Sequence, residues 1–377
     1  MSDHAAGRAS VGRVRRVAGV KLAIVRQKYT PFGGAERFVE RALGALKENG
    51  TDVSIIARQW TGDTKGIICD PFYLGRTWRD AGFARAVQQI LASRQFDLVQ
   101  SHERIPGCHI FRAGDGVHAT WLELRNKPLD ALSPWHRYTL AAEAAMFCHP
   151  DLRAVICNSH MVKDDIARRF DVADDKLHVI YNGVDLDYFH PRLRDEHRAA
   201  MRQKVGAGET AKVVLFVGSG YARKGLPILL EAMVNVDAEL WVVGRDKAQR
   251  AMECRAAELG IANRVRFFGG QQDVRPFYGA ADVFALPTQY DPFPNAVLEA
   301  LACGLPVVTT TTCGAAEFVD ASTGAVVIAG DVEALAAALF RICRDADQMR
   351  SAARGCVTAF DLDALAQQLM RLYSRLS

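Results

Sequence analysis

The stretch 282–310 constrains the fold of this chain more than any other segment does. Its apolar start, Asp282–Pro287, predicts a short buried strand. A loop follows, and a helix is predicted to begin at Pro294 or Asn295 and to end at Gly304. A turn from strand to helix presents free backbone N–H groups and the positive end of the helix dipole, and a phosphate group is their natural ligand. The segment therefore predicts an α/β fold with an anion site at this turn.

Two acidic residues accompany this predicted anion site. Asp291 lies on the loop, and Glu299 lies eight residues later, about one turn into the predicted helix. Their carboxylates can accept hydrogen bonds from the hydroxyl groups of a sugar or a ribose. Amides for a phosphate together with acceptors for hydroxyls favour a nucleotide-sugar site over a bare nucleotide site. The alternative is that Glu299 is a solvated residue on an ordinary amphipathic helix.

Length and composition favour a soluble protein with two α/β domains. A chain of 377 residues exceeds the usual size of one hydrophobic core. Apolar residues make up 49% and charged residues 24%, and the net charge of +4 is too small to indicate a nucleic-acid partner. The nine cysteines show no metal-binding spacing, which fits a reducing cytoplasm.

The N-terminal residues 1–20 form a basic segment, with Arg8, Arg13, Arg15 and Arg16 against a single acid. The segment lacks the apolar core of a secretory signal, and no apolar run in the chain reaches the length of a transmembrane helix. We expect a disordered tail. Contact of these arginines with an anionic membrane surface is the alternative.

Two glycine-containing loops each follow a predicted strand and precede a predicted helix. In the first half, Gly33 and Gly34 would let a ligand approach the backbone closely, although a plain turn is equally compatible. In the second half, the loop that begins at Gly218 contains Arg223 and Lys224, two cations that suit a diphosphate unless they are simply solvated. Neither loop has the G-x-G-x-x-G spacing of a dinucleotide-binding oxidoreductase, and the second does not match the Walker A pattern.

A further strand, around residues 105–113, ends in a loop that contains Asp115 and His118. Ligands of open α/β sheets bind at the carboxyl ends of strands, so we expect these residues at a site, with Arg112 on its acceptor side. A turn aspartate and an ordinary loop histidine are the alternatives.

Residues 119–147 mix aromatic and basic side chains. Such a segment can lie in the headgroup layer of a membrane, with rings at the boundary and arginines at the phosphates. We therefore predict membrane contacts for Trp121, Arg125, Trp135 and Arg137. A helix pair that packs on its own domain is the alternative.

The chain resembles retaining glycosyltransferase family 4. The resemblance rests on the Asp291-x7-Glu299 spacing, where the family has Glu-x7-Glu, on the triplet Arg223-Lys224-Gly225 and on the stretch 182–185. It implies the GT-B fold, in which two Rossmann-like domains face each other across a cleft. The implied domains are an acceptor-binding domain at 21–187, a nucleotide-sugar-binding domain at 188–361 and a last helix at 362–377 that returns to the first domain.

The resemblance also implies roles for individual residues. The implied catalytic residues are Asp115, Arg223, Lys224 and Asp291, with Asp115 facing the anomeric carbon. The implied donor-binding residues are Gly33, Gly34, Gly218, Arg223, Lys224, Gln271, Asp291, Phe293, Pro294, Asn295, Ala296, Val297 and Glu299. His118 and Arg112 are placed on the acceptor side.

The implied reaction transfers a hexose with retention of anomeric configuration, without a metal or other cofactor. Within the family, the first half resembles most the branch that glucosylates the heptose of the lipopolysaccharide inner core. The expected partners are therefore a UDP-sugar, such as UDP-glucose, a lipid-linked saccharide acceptor and the inner leaflet of the cytoplasmic membrane, to which the enzyme would bind peripherally. Two alternatives stay open: a family-4 enzyme that transfers a mannosyl, galactosyl or N-acetylhexosaminyl unit in another pathway, and a non-catalytic nucleotide-sugar-binding protein.

Overall fold

The computed structural model describes residues 19–28, 44, 50–60 and 64–377. Within them the chain forms two parallel β-sheets, one in each half of the sequence. The first sheet has seven strands in the order β3-β2-β1-β4-β5-β6-β7, and the second has six in the order β10-β9-β8-β11-β12-β13. The first sheet consists of β1 Lys21–Val25, β2 Asp52–Ala57, β3 Lys65–Ile68, β4 Leu98–Ser101, β5 Ile110–Ala113, β6 Ala154–Cys157 and β7 Leu177–Val179. The second consists of β8 Val213–Val217, β9 Glu239–Val243, β10 Val265–Gly269, β11 Val283–Leu286, β12 Val307–Thr310 and β13 Gly324–Val327.

Helices lie between most of the successive strands, as is usual for parallel pairing. The α-helices of the described residues are α1 Gly75–Ser93, α2 His118–Arg125, α3 Pro134–Phe147, α4 His160–Arg169, α5 Leu193–Val205, α6 Leu226–Ala232, α7 Gln249–Glu258, α8 Arg275–Ala280, α9 Asn295–Ala302, α10 Val332–Gly355 and α11 Leu362–Leu376. A 3-10 helix, Pro128–Leu132, precedes α3. None of these described helices has the length and hydropathy of a bilayer-spanning segment.

The central strands are continuous apolar runs because helices cover both faces of each sheet. In β8, the residues from Val213 to Phe216 have no exposed surface, and in β11 the same holds from Val283 to Leu286. β8 pairs in parallel with β9 on one side and with β11 on the other. The predicted α/β fold with two parallel sheets is therefore confirmed.

The last helix, α11, packs on the first sheet although the preceding helix α10 belongs to the second half. Leu365, Leu369 and Tyr373 join the core that the strands of the first sheet form. The Tyr373 hydroxyl donates a hydrogen bond to Gln100 Oε1 at 2.6 Å, which ties the helix to β4. The chain therefore crosses between the two halves twice, and the Val184 amide donates to the Phe360 carbonyl where the crossings meet.

Some local expectations differ from the structure. Strand β3 and helix α1 were not predicted. Helix α9, by contrast, begins at Asn295, one of the two starts that the sequence predicts, and Pro294 lies just before it. Gly304 follows the end of the helix with φ of +75°, the left-handed conformation that a glycine accommodates at this position.

Candidate functional site

A cleft with a cavity volume of about 630 Å³ lies between the two halves of the chain. The strand order of each sheet reverses once, between β1 and β4 in the first and between β8 and β11 in the second. Ligands of open α/β sheets bind at such reversals, beyond the carboxyl ends of the strands. The residues that follow these four strands line the cleft. The lining includes Gln27, Asp80, Glu103, Arg112, Asp115 and Trp135 from the first half, and Arg223, Lys224, Asp291, Phe293 and Asn295 from the second.

Three charged side chains form the wall that the second half contributes. Lys224 Nζ lies 3.0 Å and Arg223 NH1 3.2 Å from the same oxygen of Asp291. Arg223 NH1 also donates to the Tyr290 carbonyl at 3.0 Å. Because two cations share one carboxylate, this wall carries a net positive charge toward the cleft, which suits a ligand with several negative charges.

Two glycines make this arrangement of the cations possible. A Cβ at Gly218 would lie 2.4 Å from Lys224 Cδ, so the lysine side chain crosses the space that a larger residue would fill. A Cβ at Gly225 would lie 1.8 Å from the Pro287 carbonyl oxygen, and this residue has φ of +78°. The amides of Gly220 and Tyr221 are not free for a ligand, because both donate to Asp246 at 2.8 and 2.9 Å.

The start of helix α9 lies beside these cations. Phe293 and Asn295 line the cleft, whereas Ala296 and Val297 do not. The Val297 amide already donates to the Pro294 carbonyl, and Pro294 has no amide hydrogen, so fewer amides face the cleft than the sequence predicts.

Glu299 lies behind the main cleft rather than in it. It lines a smaller cavity together with Asn295 and Gly183. Its carboxylate accepts a hydrogen bond from the Tyr278 hydroxyl at 2.9 Å. Burial and the negative charge of Glu299 raise the pKa of Tyr278 well above its ordinary value, so this hydroxyl stays protonated and can donate.

A chain of polar side chains crosses between the two halves. Buried Arg112 donates from Nη2 to Asn182 Oδ1 at 2.8 Å, and the side-chain Nδ2 of Asn182 donates to Asn295 Oδ1 at 2.8 Å. Burial lowers the pKa of Arg112 to about 10, which still leaves the guanidinium charged at neutral pH. Arg112 therefore helps to fix the position of the helix α9 start.

The first half contributes a polar wall with carboxylates that the sequence analysis missed. Glu103, after β4, accepts a hydrogen bond from the Gln27 amide at 2.8 Å. Burial raises the pKa of Glu103, the Gln27 hydrogen bond opposes this effect, and the charge of Asp115 adds to it. The position of Glu103 at a strand end was a signal that could have identified it.

Asp80, on helix α1, is the other missed carboxylate. It accepts hydrogen bonds from Gln27 Nε2 at 3.0 Å, Arg79 Nε at 2.7 Å and Trp135 Nε1 at 2.7 Å. Burial raises the pKa of Asp80, but these hydrogen bonds outweigh burial and hold the pKa below its ordinary value. No local sequence signal places Asp80 in the cleft.

The sequence predicts that His118 lies on a loop, but the structure places it in a helix. It is the first residue of helix α2, is only 7% exposed and does not line the cleft. Its amide donates to Glu143 at 3.0 Å, and its Nε2 lies 3.0 Å from Nδ1 of His136. Burial, together with the charge of Arg104, lowers the pKa of His118 to about 4, so the imidazole is neutral.

The predicted membrane residues occupy different environments. Trp135 lines the cleft and is hydrogen-bonded to Asp80, which argues against the membrane contact predicted for it. Trp121 stacks on Tyr290 with ring centroids 6.4 Å apart. Arg125 pairs with Asp130 at 3.2 Å, and Arg137 is exposed.

The remaining predicted site residues lie elsewhere. Gln271 is exposed after β10 and donates to the Phe268 carbonyl at 2.6 Å, outside the cleft lining. Gly33 and Gly34 fall outside the described residues, as does most of the basic segment 1–20. Among residues 19–28, 44, 50–60 and 64–377, no cluster of His, Cys, Asp or Glu could hold a metal ion.

Comparison with protein families gives two matches. Residues 32–188 match the family described as glycosyltransferase family 4, and residues 197–355 match the family described as glycosyl transferases group 1.

Individual relatives agree with these matches. The lipopolysaccharide glucosyltransferase WaaG of Escherichia coli (strain K12) is 28% identical over 317 residues, which cover 81% of this chain and 84% of that protein. The lipopolysaccharide core biosynthesis glycosyltransferase LpsE of Rhizobium meliloti is 35% identical over 180 residues, 46% of this chain and 53% of that protein.

Solved structures share the two-sheet architecture. The crystal structure of WaaG superposes with a TM-score of 0.81 at 26% identity and covers 93% of this chain and 99% of its own. Anabaena HepE in complex with UDP-glucose superposes with a TM-score of 0.71 at 20% identity, covering 94% and 99%, which bears on the fold alone. Two Rossmann-like sheets, a cleft between them and matches to both families agree: this chain belongs to the GT-B glycosyltransferases, with family 4 and group 1 domains.

Proposed function

We propose that this glycosyltransferase transfers a glucosyl unit from UDP-glucose, with retention of anomeric configuration, to a lipid-linked saccharide of the lipopolysaccharide inner core. One observation carries the proposal: the cation pair Arg223 and Lys224 faces the carboxylate of Asp115 across one cleft. The second half, with its cations, would bind the donor, and the first half the acceptor.

The reaction has a simple balance. The bond between the anomeric carbon and the β-phosphate oxygen breaks, and its electron pair leaves with UDP. The acceptor hydroxyl oxygen forms the new bond from the same face, and its proton moves to the departing phosphate oxygen. Negative charge therefore grows on the diphosphate during the reaction, and stabilising that charge lowers the barrier.

Arg223 and Lys224 are placed to stabilise this charge. Both now contact one oxygen of Asp291, and the arrival of a diphosphate would give each cation a second anionic partner. Asp291 would keep part of these contacts and accept hydrogen bonds from sugar hydroxyls. These protein groups supply positive charge at the leaving group without a metal.

The identity of the donor is supported by the relatives. WaaG is a lipopolysaccharide glucosyltransferase, and HepE shows that a protein of this fold can bind UDP-glucose. We assign Glu299 to the ribose hydroxyls. It lines the smaller cavity rather than the main cleft, and its carboxylate accepts a hydrogen bond from Tyr278. Aspartate at 291 is one methylene shorter than the family's glutamate. The sugar preference is therefore tested directly, by comparing several nucleotide sugars.

The acceptor is assigned to the polar wall of the first half. Asp80, Glu103 and Asp115 offer carboxylate oxygens there, and the indole of Trp135 lines the cleft beside them. Carboxylates beside an aromatic ring suit a sugar, whose hydroxyls donate hydrogen bonds and whose C–H face packs on the ring. WaaG is a lipopolysaccharide glucosyltransferase and LpsE is a lipopolysaccharide core biosynthesis glycosyltransferase, which supports an acceptor saccharide of that class.

We assign the membrane contact to exposed apolar side chains beside the cleft, which we call the 68–78 surface: Ile68, Phe72, Leu74 and Trp78. Phe72 is 80% exposed and Leu74 is 76% exposed. Large apolar side chains exposed together on one surface indicate an interaction site.

The surroundings of the 68–78 surface favour an anionic membrane. Arg76 is exposed and lies over the ring of Trp135, 5.4 Å from its centroid. That contact places the surface next to the acceptor side of the cleft, which Trp135 lines. The exposed cations Lys65 and Arg76 belong to the same stretch of the chain, which could therefore insert apolar groups and attract lipid phosphates.

The central test measures donor binding and turnover together. UDP-, GDP- and ADP-sugars are compared by thermal shift and by release of the nucleoside diphosphate, using wild type, Asp115→Ala and Arg223→Ala. We expect UDP-glucose to raise the melting temperature and to turn over in the wild type. The Arg223→Ala enzyme should bind the donor more weakly than wild type. The Asp115→Ala enzyme should bind the donor but transfer the sugar slowly.

The outcomes separate the alternatives. Stabilisation by a nucleotide sugar without turnover under any acceptor condition would favour the non-catalytic binding protein. Turnover of a different nucleotide sugar would identify another family-4 specificity. Unchanged turnover in both variants refutes the mechanism.

The membrane assignment has its own test. Sedimentation with vesicles of phosphatidylglycerol and phosphatidylethanolamine is compared for wild type, Phe72→Ser/Leu74→Ser and Phe340→Ser. Phe340 is the matched control because it is 60% exposed but lies on α10 of the second half. We expect the double variant to bind at least about 10-fold more weakly and the control to bind like wild type. Equal binding of all three proteins contradicts the assignment.

A further inference from the structure

Tyr290 connects the two walls of the cleft. From the second half, its hydroxyl oxygen accepts a hydrogen bond from the Val117 amide of the first half at 3.0 Å, in a buried position. Tyr290 is buried, with 4% of its surface exposed. Its backbone carbonyl accepts a hydrogen bond from Arg223 NH1 at 3.0 Å, and the next residue is Asp291. Tyr290 therefore contacts the cation Arg223 through its backbone and the first half through its side chain.

The segment that Tyr290 contacts is the loop 114–117, which carries Asp115. A Cβ at Gly116 would lie 2.2 Å from the Tyr290 hydroxyl oxygen and 2.7 Å from Pro292 Cγ. Gly116 also has φ of +67°, a conformation that favours glycine. The absence of a side chain at 116 is what lets the two loops pack directly against each other.

Hydrogen bonds from within the first half fix only part of this loop. The Gly116 amide donates to the Ala113 carbonyl at 3.2 Å, and Arg104 NH2 donates to the Gly116 carbonyl at 3.0 Å. The amide of His118 is held by Glu143. Between these contacts, the Val117 amide is bound by Tyr290, so the last turn of the loop is completed by a group from the other half of the chain.

We propose that Tyr290 is a positioning residue, which sets Asp115 in its place only when the two halves are closed on each other. The proposal rests on the proposed function, because it gives Asp115 a role in transfer. When the halves separate, the Val117 amide loses its partner, and the loop that carries Asp115 loses one of its fixed points. The placement of Asp115 is thereby coupled to closure around the donor.

The phenol is the part of Tyr290 that this coupling needs. In Tyr290→Phe the ring can still stack on Trp121, but the Val117 amide is left without its acceptor. Loss of one such hydrogen bond corresponds to about 10-fold in an equilibrium constant. We expect kcat to fall by about 10-fold while the Kd for UDP, measured by calorimetry, stays within about 2-fold of wild type.

A matched control exists at the same interface. The Tyr181 hydroxyl donates to Glu317 at 2.7 Å, also between the two halves, but it does not contact the loop 114–117. Tyr181→Phe makes the same chemical change without touching that loop. A general weakening of the interface would affect both variants alike, whereas positioning of Asp115 would appear only in Tyr290→Phe.

A double-mutant cycle with Asp115→Asn, measured as kcat, distinguishes a positioning role of Tyr290 from a merely structural one. If Tyr290 acts through Asp115, Tyr290→Phe should slow the Asp115→Asn enzyme by less than about 2-fold, because the group that it positions is already altered. Tyr181→Phe should combine with Asp115→Asn multiplicatively. Multiplicative loss in the Tyr290→Phe/Asp115→Asn enzyme overturns the proposal, as does a rise in the UDP Kd that matches the fall in kcat.

Amide hydrogen exchange tests the same coupling without turnover. With UDP bound, the Val117 amide should exchange at least about 10-fold faster in Tyr290→Phe than in wild type or Tyr181→Phe. Equal exchange rates in the three proteins overturn the proposal. Hydrogen exchange is the deciding test in case Asp115→Asn has no measurable turnover and the double-mutant cycle cannot be completed. Full activity of Asp115→Asn would instead contradict the role of Asp115 in the proposed function, which the exchange experiment does not assume.

Discussion

The buried imidazole of His118 should make the stability of the first half depend on pH. Burial lowers its pKa from 6.5 to about 4 in the folded protein. The folded state then binds fewer protons than the unfolded state, so this contribution is fully present above about pH 6.5 and is lost as the pH falls toward 4. Integrated between pH 7 and pH 5, these two pKa values correspond to a loss of about 2 kcal/mol in the free energy of unfolding.

The assay is urea unfolding at several pH values for wild type and His118→Asn. The variant is expected to be less stable at pH 7 because it loses the contact with His136. Its free energy of unfolding should nevertheless fall by about 2 kcal/mol less between pH 7 and pH 5 than that of wild type, because asparagine does not titrate.

A matched control separates this effect from the other titrating groups. His160→Asn makes the same replacement at an exposed position on helix α4 and leaves His118 in place. Its pH dependence should follow that of wild type. Parallel curves for wild type and His118→Asn would refute the reasoning, because they would mean that His118 binds protons equally in the folded and unfolded states.

Three further predictions concern binding and stability. Lys224→Met should weaken UDP binding by about 10- to 100-fold in calorimetry, since one charge-assisted contact to the diphosphate is lost; unchanged affinity would contradict the donor site. Gly225→Ala should cost more than about 1 kcal/mol in thermal unfolding because of the contact with Pro287. Its control is Gly206→Ala, which has a similar φ of +69° but open space around it, and equal losses would show that the contact is harmless. Leu369→Ala should destabilise the first half by about 2–5 kcal/mol in urea unfolding, and a loss below about 1 kcal/mol would mean that helix α11 is dispensable.

Local patterns were sufficient to predict the central strands and to bring Arg223, Lys224 and Asp291 to one place. The apolar runs of β8 and β11 are continuous, as strands buried on both faces of a parallel sheet require, and both were identified. Arg223, Lys224 and Asp291 follow those strands, so the strand-end rule brought them to one place. The same rule applied to β4 would have identified Glu103.

Contacts between distant segments account for what could not be predicted. Asp80 reaches the cleft because Trp135, which lies 55 residues away, donates a hydrogen bond to it. His118 is helical and buried because Glu143, 25 residues away, binds its amide. The pairing of Asp291 with both cations is likewise a property of the folded site, since Lys224 and Asp291 are 67 positions apart in the sequence.

The return of the last helix has a consequence for building hybrid enzymes. The simplest hybrid would fuse the front half of one glycosyltransferase to the back half of another. In this chain such a fusion would bring along a foreign final segment, and Leu365, Leu369 and Tyr373 would be replaced by residues shaped for a different sheet. A workable hybrid should therefore be cut twice, near residues 187 and 361, so that the front half keeps the native tail that completes it.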